Sequence, residues 1–223
     1  MSRTFAIGDL HGCSLTFRKL ILENIKLQKE DELYCLGDYV DRGPDSKGVI
    51  DFILELREKG FTIHTLRGNH DQMMMDSDKN KEDFRHWLKN GGDKTLESFG
   101  IGSYDEMDSK YKTFFYQTQY YFETGKYILV HAGLNFKIKN PFEDTHAMMW
   151  IRNYMVDGEK LGDRIIVHGH TPIPWPVIRR QAGKNVIDID GGCVYTDRYG
   201  FGYLVALNLT SGEFIAEKNI DIQ

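Results

Sequence analysis

The heptapeptide GDYVDRG at residues 37–43 decides how the rest of the chain is interpreted. It follows a short apolar run at residues 33–36, which predicts a buried strand, and Gly43-Pro44 then turns the chain towards a helix. Open α/β sheets bind their ligands at the carboxyl ends of strands. Two carboxylates and a guanidinium collected at such a place need compensation, which a metal ion beside Asp38 and an anion beside Arg42 would provide.

The composition limits the classes of protein to which this chain can belong. With 223 residues and an apolar fraction of 41%, the chain can form one sizeable domain with its own core. A net charge of −5 and the lack of a basic run argue against general binding to nucleic acid or to an anionic membrane. No apolar run has the length of a membrane span or of a signal peptide. The cysteines Cys13, Cys35 and Cys193 have no metal-type spacing, and as free thiols they predict a cytoplasmic protein.

Three strand-then-helix units follow one another in the first third of the chain. Each has a short apolar strand that runs into a polar motif with glycine: residues 4–7 before GDLHG (8–12), residues 33–36 before GDYVDRG, and residues 61–66 before RGNHD (67–71). Apolar residues at helical spacing follow Ser14 and Ser46. This regularity predicts a parallel sheet with right-handed crossovers.

The remaining chain divides into a helical part and a β-rich part. Charged and aromatic residues at helical spacing fill residues 73–123, which we interpret as a helical cap inserted into a single domain, residues 1–223. Strands at residues 127–130 and 164–167 precede two more motifs, HAGL (131–134) and HGHTP (168–172), and a helix is predicted over 145–154. Short strands near residues 186–189, 201–209 and 214–219, with tight turns between them, predict an antiparallel second half.

Side chains able to bind metal ions follow five of the predicted strands: Asp9, His11, Asp38, Asn69, His131 and His170. Oxygen and imidazole donors in this mixture suit manganese, iron or zinc better than magnesium or calcium. Six donors exceed what one catalytic ion uses, whereas two ions bridged by a carboxylate, with Asp38 as the candidate bridge, would use them all. Such a pair ionises a shared water near neutral pH and holds a phosphoryl oxygen during in-line attack. Of the histidines in the motif HGHTP, we assign His170 to the metal and His168 to packing.

The motifs GDLHG, GDYVDRG and RGNH resemble the signature of the phosphoprotein phosphatase family. These are dimetal serine/threonine phosphatases within the calcineurin-like metallophosphoesterases, and they include small bacterial and phage members. The later motifs HAGL and HGHTP look like the family's remaining metal motifs, so the resemblance spans residues 5–195. It implies an α/β fold: a β-sandwich flanked by helices in four layers (αββα), with a helical insertion and the dimetal site at its top.

The resemblance also implies a role for each motif residue. Asp9, His11 and Asp38 would bind one divalent ion, and Asp38, Asn69, His131 and His170 the other, with manganese favoured over iron or zinc. His70 matches the general acid that protonates the leaving alkoxide, oriented by Asp41. The arginines that match phosphate-binding positions are Arg42, Arg67 and Arg152. Arginine suits this role because its guanidinium stays charged and offers phosphate a bidentate fork.

One position departs from the family. Asp71 stands where the family usually has glutamate, and the resulting spelling GNHD is commoner in related metallophosphodiesterases. Those relatives carry a further metal-binding histidine two residues after the position of His170. At that place this chain has Pro172. Together with Asp41-Arg42, this difference favours a phosphatase.

Three functions are consistent with these residues. The first is a phosphomonoesterase that hydrolyses phosphoserine and phosphothreonine in proteins, with phosphotyrosine as a further substrate, by direct attack of a metal-bridging hydroxide. The second keeps the site but acts on nucleotide polyphosphates, as a symmetrical dinucleoside tetraphosphate hydrolase; the residues DGGCVY at 190–195 are similar to those enzymes, which are usually longer. The third is a non-catalytic module that binds phosphate or metal. The presence of His70 with every candidate ligand favours an enzyme, and the short chain favours a protein substrate.

Overall fold

The computed structural model describes residues 2–222, whose strands form a five-stranded and a four-stranded sheet. The strands are β1 (Thr4–Ile7), β2 (Glu32–Cys35), β3 (Thr62–Thr65), β4 (Tyr121–Thr124), β5 (Tyr127–Val130), β6 (Ile165–His168), β7 (Val186–Asp188), β8 (Tyr203–Asn208) and β9 (Phe214–Lys218). The larger sheet has the order β3-β2-β1-β8-β9 and the smaller sheet the order β4-β5-β6-β7.

Helices connect most of these strands. They are α1 (Ser14–Lys19), α2 (Ser46–Glu58), α3 (Asn69–Asp76), α4 (Lys81–Trp87), α5 (Asp93–Phe99), α6 (Ser109–Tyr116), α7 (Thr145–Trp150), α8 (Gly158–Leu161) and α9 (Trp175–Ile178). Helix α1 continues into a π-helical turn at Leu20–Ile25. Helix α4 is followed by Leu88–Gly92, in which Gly91 leaves the helical conformation (φ 100°, ψ 14°) before α5 begins. Within residues 2–222, none of the helices combines the length and the apolar character that crossing a membrane requires.

Strands β1, β2 and β3 pair in parallel, which confirms the arrangement predicted from the three successive motifs. The connection after β2 shows how the sequence forms such a strand-then-helix unit. Asp45 caps α2 by accepting a hydrogen bond from Gly48 N at 2.9 Å, and Val49 and Ile53 on that helix are fully buried. A helix between two strands that pair in parallel is the geometry of a crossover.

The prediction of an antiparallel second half is only partly correct. Strands β8 and β9 form an antiparallel hairpin, but β5, β6 and β7 pair in parallel. Residues 169–185 carry α9 and are long enough to cross over, so β7 returns in the same direction as β6. The predicted helix at residues 145–154 ends at Trp150, because Ile151 is extended (φ −65°, ψ 136°).

The two sheets pack face to face with helices on both outer faces, which confirms the four-layer α/β sandwich. In β1, the side chain of Ala6 faces the second sheet, whereas Phe5 and Ile7 face the helices, following the alternation of a strand. The sandwich interior also contains Leu129 and Val167. A third cluster packs the outer face of the smaller sheet against α7 and α8, with members Ile128, Val130, Met148, Leu161 and Ile166.

The segment predicted as a helical cap lies over the α2 side of the larger sheet. Its buried side chains Trp87, Tyr111 and Phe114 belong to the same apolar cluster as Phe52 of α2. The helical part ends at Tyr116, and residues 121–124 form strand β4 of the smaller sheet. The segment therefore packs onto the main core, and the division of the domain at residues 73–123 stays a prediction.

Candidate metal centre and catalytic site

The six predicted metal-binding side chains lie together at one edge of the sandwich. Each follows a strand or begins the next helix, and parallel strands bring their carboxyl ends to the same edge. All six are buried, with no more than 6% of any residue exposed: Asp9, His11, Asp38, Asn69, His131 and His170. Buried polar groups at this density need partners or bound ions.

Strained backbone positions these loops. His11, Asp38, Asp41, Arg42 and His170 all have positive φ, between 40° and 72°, a conformation that residues with a side chain rarely adopt. Hydrogen bonds between the first two loops hold it in place, since Leu10 N and His11 N both donate to Asp38 O, at 3.1 and 2.8 Å. Non-glycine residues in this conformation cluster at functional sites.

Asp71 holds the central loop. Its carboxylate accepts hydrogen bonds from the backbone N–H groups of Asp38 and Gly68 at 2.9 Å each, and of Tyr39 at 3.0 Å. These bonds tie the loop after β2 to the start of α3. The aspartate that departs from the family pattern is therefore a structural partner of the loop that carries Asp38.

Asp38 lies at the centre of the cluster. Ligand atoms of His11, Asp38 and His70 lie within 4.8 Å of one another, and so do those of Asp9, Asp38 and His131. Asp38 is thus common to both groups, as a bridging carboxylate would be. Its Oδ2 lies 3.6 Å from Nε2 of His11 and 3.6 Å from Nε2 of His131.

Two histidines in the cluster are oriented by backbone carbonyls. His11 Nδ1 lies 2.9 Å from Val40 O, and His131 Nδ1 lies 2.9 Å from Leu36 O. A carbonyl only accepts, so each Nδ1 is assigned the proton, which leaves the Nε2 lone pair available to bind an ion or to accept a hydrogen bond. Burial lowers the pKa of His11 and of His131, so both rings are neutral at pH 7, the form that binds metals.

Asn69 and His170 complete the second group. Asn69 Oδ1 lies 3.0 Å from His131 Nε2 and 2.8 Å from His170 Nδ1. Burial lowers the pKa of His170 to about 3, so this ring is also neutral at pH 7. Its Nε2 accepts a hydrogen bond from Arg152 Nε at 3.1 Å.

The charge of the cluster fits a bound cation. Burial, and then the neighbouring carboxylates of Asp190 and Asp38, raise the pKa of Asp9 well above its ordinary value. Asp190 Oδ2 is buried and has no hydrogen-bond partner among residues 2–222. Divalent ions would compensate these carboxylates, and the mixed oxygen and nitrogen donors suit such ions. From its sequence, Asp190 is only one residue of the motif DGGCVY, with no sign of a role in the cluster.

His70 and Asp41 form a buried pair beside the cluster. His70 Nδ1 lies 2.7 Å from Asp41 Oδ2, and the backbone N–H of His70 donates to Asp38 Oδ1 at 2.9 Å. Burial raises the pKa of Asp41, and hydrogen bonds from His70, Thr95 and Trp87 oppose that rise. The pair thus has the arrangement in which a carboxylate orients an imidazole for proton transfer.

Trp87 and Thr95, which no motif in the sequence singles out, hold Asp41. Trp87 Nε1 donates to both carboxylate oxygens, at 2.9 and 3.1 Å, and Thr95 Oγ1 donates to Oδ1 at 2.7 Å. Gly92 makes this possible, because a Cβ there would lie 2.5 Å from the indole of Trp87. Gly92 is therefore a packing contact that the site depends on.

Of the three predicted phosphate-binding arginines, the structure brings two to the cluster. Arg42 Nη1 lies 2.8 Å from His11 Nε2, and Arg152 lies against His170 at the other end. Arg67 makes other contacts: its guanidinium donates to Thr118 Oγ1 and Phe115 O, both at 2.9 Å. These contacts anchor the segment after α6, and the role of Arg67 in binding phosphate stays a prediction.

Comparisons with known proteins point to one family. The family model described as calcineurin-like phosphoesterase matches residues 2–209. Serine/threonine-protein phosphatase 1 of Salmonella typhimurium is 28% identical over 198 residues, covering 86% of this chain and 87% of that protein. The asymmetrical bis(5'-nucleosyl)-tetraphosphatase PrpE of Anoxybacillus flavithermus is 26% identical over 251 residues, covering 94% and 91%. A protein serine/threonine phosphatase from Saccharomyces cerevisiae shares the fold, with a TM-score of 0.63 and 16% identity over 100% of this chain and 81% of that one.

Proposed function

Because the chain belongs to the calcineurin-like phosphoesterase family, we propose that it is a dimetal hydrolase of phosphoric monoesters, with phosphorylated proteins as its substrates. One observation carries this proposal. A single carboxylate, Asp38, belongs to two groups of candidate ligands, and His70, a member of one of these groups, is held by Asp41. A shared carboxylate next to a histidine able to deliver a proton is what in-line hydrolysis of a phosphoester requires.

The ligands divide between two ions that share Asp38. We assign Asp9 and His11 with Asp38 to one ion, and Asn69, His131 and His170 with Asp38 to the other. When bound, the ion pair supplies an ionised water as nucleophile and neutralises phosphoryl charge. The mixed donor set favours manganese, with iron or zinc as alternatives.

The other polar residues act on the substrate. His70, held through Nδ1 by Asp41, presents its Nε2 proton to the leaving alkoxide oxygen, which is a poor leaving group without it. Arg42 and Arg152 lie at the two ends of the cluster, where each can donate a pair of hydrogen bonds to phosphoryl oxygens. Their fixed charge offsets the charge of the phosphoryl group as it transfers.

Phosphoserine and phosphothreonine in proteins are the substrates we favour, with phosphotyrosine as a further one. The likeness to a bacterial serine/threonine phosphatase over most of both chains supports this choice. Hydrolysis of dinucleoside polyphosphates is the second candidate. It is favoured by the likeness to a bis(5'-nucleosyl)-tetraphosphatase, which also extends over most of both chains. A non-catalytic binding module would have no use for the buried His70–Asp41 pair.

Turnover measurements distinguish these functions. We expect hydrolysis of p-nitrophenyl phosphate that depends on added Mn²⁺, and faster hydrolysis of phosphothreonine peptides than of diadenosine tetraphosphate. Turnover of the dinucleotide alone would contradict the protein-phosphatase assignment. Metal binding without turnover of any phosphoester would show a binding module instead.

Replacing Trp87 by phenylalanine is expected to impair the enzyme through Asp41. The change keeps most of the aromatic packing but removes the N–H that donates to Asp41. A buried carboxylate that loses a hydrogen-bond donor lowers the free energy of unfolding by about 1–3 kcal/mol. We also expect kcat for p-nitrophenyl phosphate to fall about tenfold, because His70 loses part of its orientation.

Urea unfolding and steady-state kinetics test this prediction. Trp175→Phe is the matched control, because it makes the same change of side chain at a different tryptophan. Trp175 packs against Tyr203 and is distant from Asp41 in the sequence. Unchanged stability together with unchanged kcat in the Trp87 variant would show that the indole N–H does not support Asp41.

A further inference from the structure

A pocket with a cavity volume of about 360 Å³ opens beside Arg42. Its lining residues are Arg42, Lys89, Asn90, Gly91, Val194 and Tyr195. Two of these carry positive charge and none carries negative charge, although the chain as a whole has a net charge of −5. A concave site lined by one sign of charge concentrates ions of the opposite sign.

One wall of the pocket is built by a close backbone approach. Gly91 has φ +100°, and its carbonyl accepts a hydrogen bond from Arg42 N at 3.2 Å. A Cβ at this position would lie 2.8 Å from Arg42 N, so only glycine lets the segment come so near. This contact places the exposed side chain of Lys89 beside the loop that carries Arg42.

The opposite wall is Tyr195, which follows the DGG motif at residues 190–192. The guanidinium carbon of Arg42 lies 5.9 Å from the centre of its ring, and that of Arg198 lies 4.6 Å from it. Arg198 thus places a further positive charge against the ring of Tyr195. An aromatic ring attracts a guanidinium without neutralising its charge, so both arginines stay positive.

These cations are not engaged by carboxylates. Among residues 2–222, no carboxylate oxygen lies within 4.0 Å of a charged nitrogen of Arg42, Lys89 or Arg198. Three other lysines do pair with carboxylates, at 2.8 Å or less: Lys47 with Asp51, Lys59 with Glu55, and Lys94 with Glu97. The positive charge of the pocket is therefore not offset by an ion pair.

We propose that this pocket binds a second anionic group of the substrate, a phosphoryl or carboxylate group adjacent to the scissile phosphate. The inference rests on the proposed function, in which Arg42 contacts the scissile phosphoryl group. A guanidinium has five N–H donors, so Arg42 can serve both groups at once while Lys89 contacts the second. The enzyme then prefers phosphoesters that carry a neighbouring negative charge.

Two pairs of substrates test this preference. In the peptide pair, a phosphothreonine is followed by glutamate or by alanine; in the nucleotide pair, the substrate is ADP or AMP. For each pair we compare kcat/KM of the more anionic member with that of the other. In Lys89→Ala this ratio of kcat/KM values is expected to be about tenfold lower than in the wild type. In Lys89→Glu it is expected to be lower still, because the attraction between charges becomes repulsion.

Lys94→Ala is the control, since it removes an equal charge from the neighbouring helix α5 but from a lysine already paired with Glu97. A ratio that falls only for the peptides identifies a carboxylate as the second group, and one that falls only for the nucleotides identifies a phosphoryl group. Unchanged ratios in both pairs for both Lys89 variants would overturn the proposal.

Binding without turnover separates this inference from the proposed function. Calorimetric titration of the metal-free full chain compares inorganic pyrophosphate with inorganic phosphate. The wild type is expected to bind pyrophosphate at least about tenfold more tightly, and Lys89→Glu to lose that preference. Equal affinities for both anions in the wild type would refute the proposed second anion site even if the enzyme is active. A wild-type preference for pyrophosphate that Lys89→Glu abolishes would support the site even if no phosphoester is hydrolysed.

Discussion

Replacing Asp38 by asparagine is expected to release both divalent ions and to lower the turnover of p-nitrophenyl phosphate at least about a thousandfold. Asp38 is the member common to both groups of candidate ligands. An amide offers one neutral oxygen, which cannot bridge two cations as a carboxylate does. Without the ions, the substrate loses both its nucleophile and the compensation of its charge. Metal content by mass spectrometry, measured beside turnover, checks this result.

The substitution is conservative for the fold. Asp38 Oδ1 accepts a hydrogen bond from His70 N, and the asparagine carbonyl can still accept it. Asp45→Asn is the matched control, because Asp45 caps α2 close by and asparagine caps helices equally well. A variant of Asp38 that keeps two ions per chain and full turnover would disprove the bridging assignment.

Replacing His70 by asparagine is expected to keep both ions but to lower kcat by about 10²- to 10⁴-fold. The loss should depend on the leaving group. Phosphothreonine leaves as a basic alkoxide that needs a proton, whereas p-nitrophenolate leaves readily without one. We therefore expect a much larger loss for the phosphothreonine peptide, which kinetics with both substrates will measure.

Metal analysis decides between two roles for His70, because its ring lies close enough to Asp38 and His11 to act as a ligand. Loss of an ion together with activity would make His70 a ligand and not the acid. Equal losses for both substrates, with the ions retained, would also exclude proton transfer as its role. His86→Asn, at an exposed histidine of α4, is the control for the substitution itself.

The candidate site was largely predictable because its residues adjoin strand ends. A motif directly after a strand inherits the position of that strand, and parallel neighbours bring such motifs to one edge. For this reason all six predicted donors, together with His70 and Asp41, lie side by side in the structure. The same argument located Arg42, which belongs to the motif after β2.

Contacts between distant segments could not be predicted in this way. Trp87 and Thr95 reach Asp41 from 46 and 54 residues further along the chain, and their helical spacing indicates only burial. The direction of β7 was also mistaken, because short strands with turn residues look alike whether they pair in parallel or antiparallel. Arg67 belongs to a motif at a strand end, yet its side chain turns away to Thr118 and Phe115. Side-chain direction depends on packing that a motif does not encode.

We propose above all that Asp38 joins two metal ions in one phosphoester-hydrolysing site. Electron paramagnetic resonance of the metal-free chain, titrated with Mn²⁺, tests it most directly, because ions about 3.5–4 Å apart couple magnetically. We predict two equivalents bound per chain with the spectrum of a coupled pair, which is lost in the Asp38→Asn variant. A single uncoupled ion at saturation, or a coupled pair that survives that substitution, would contradict the account.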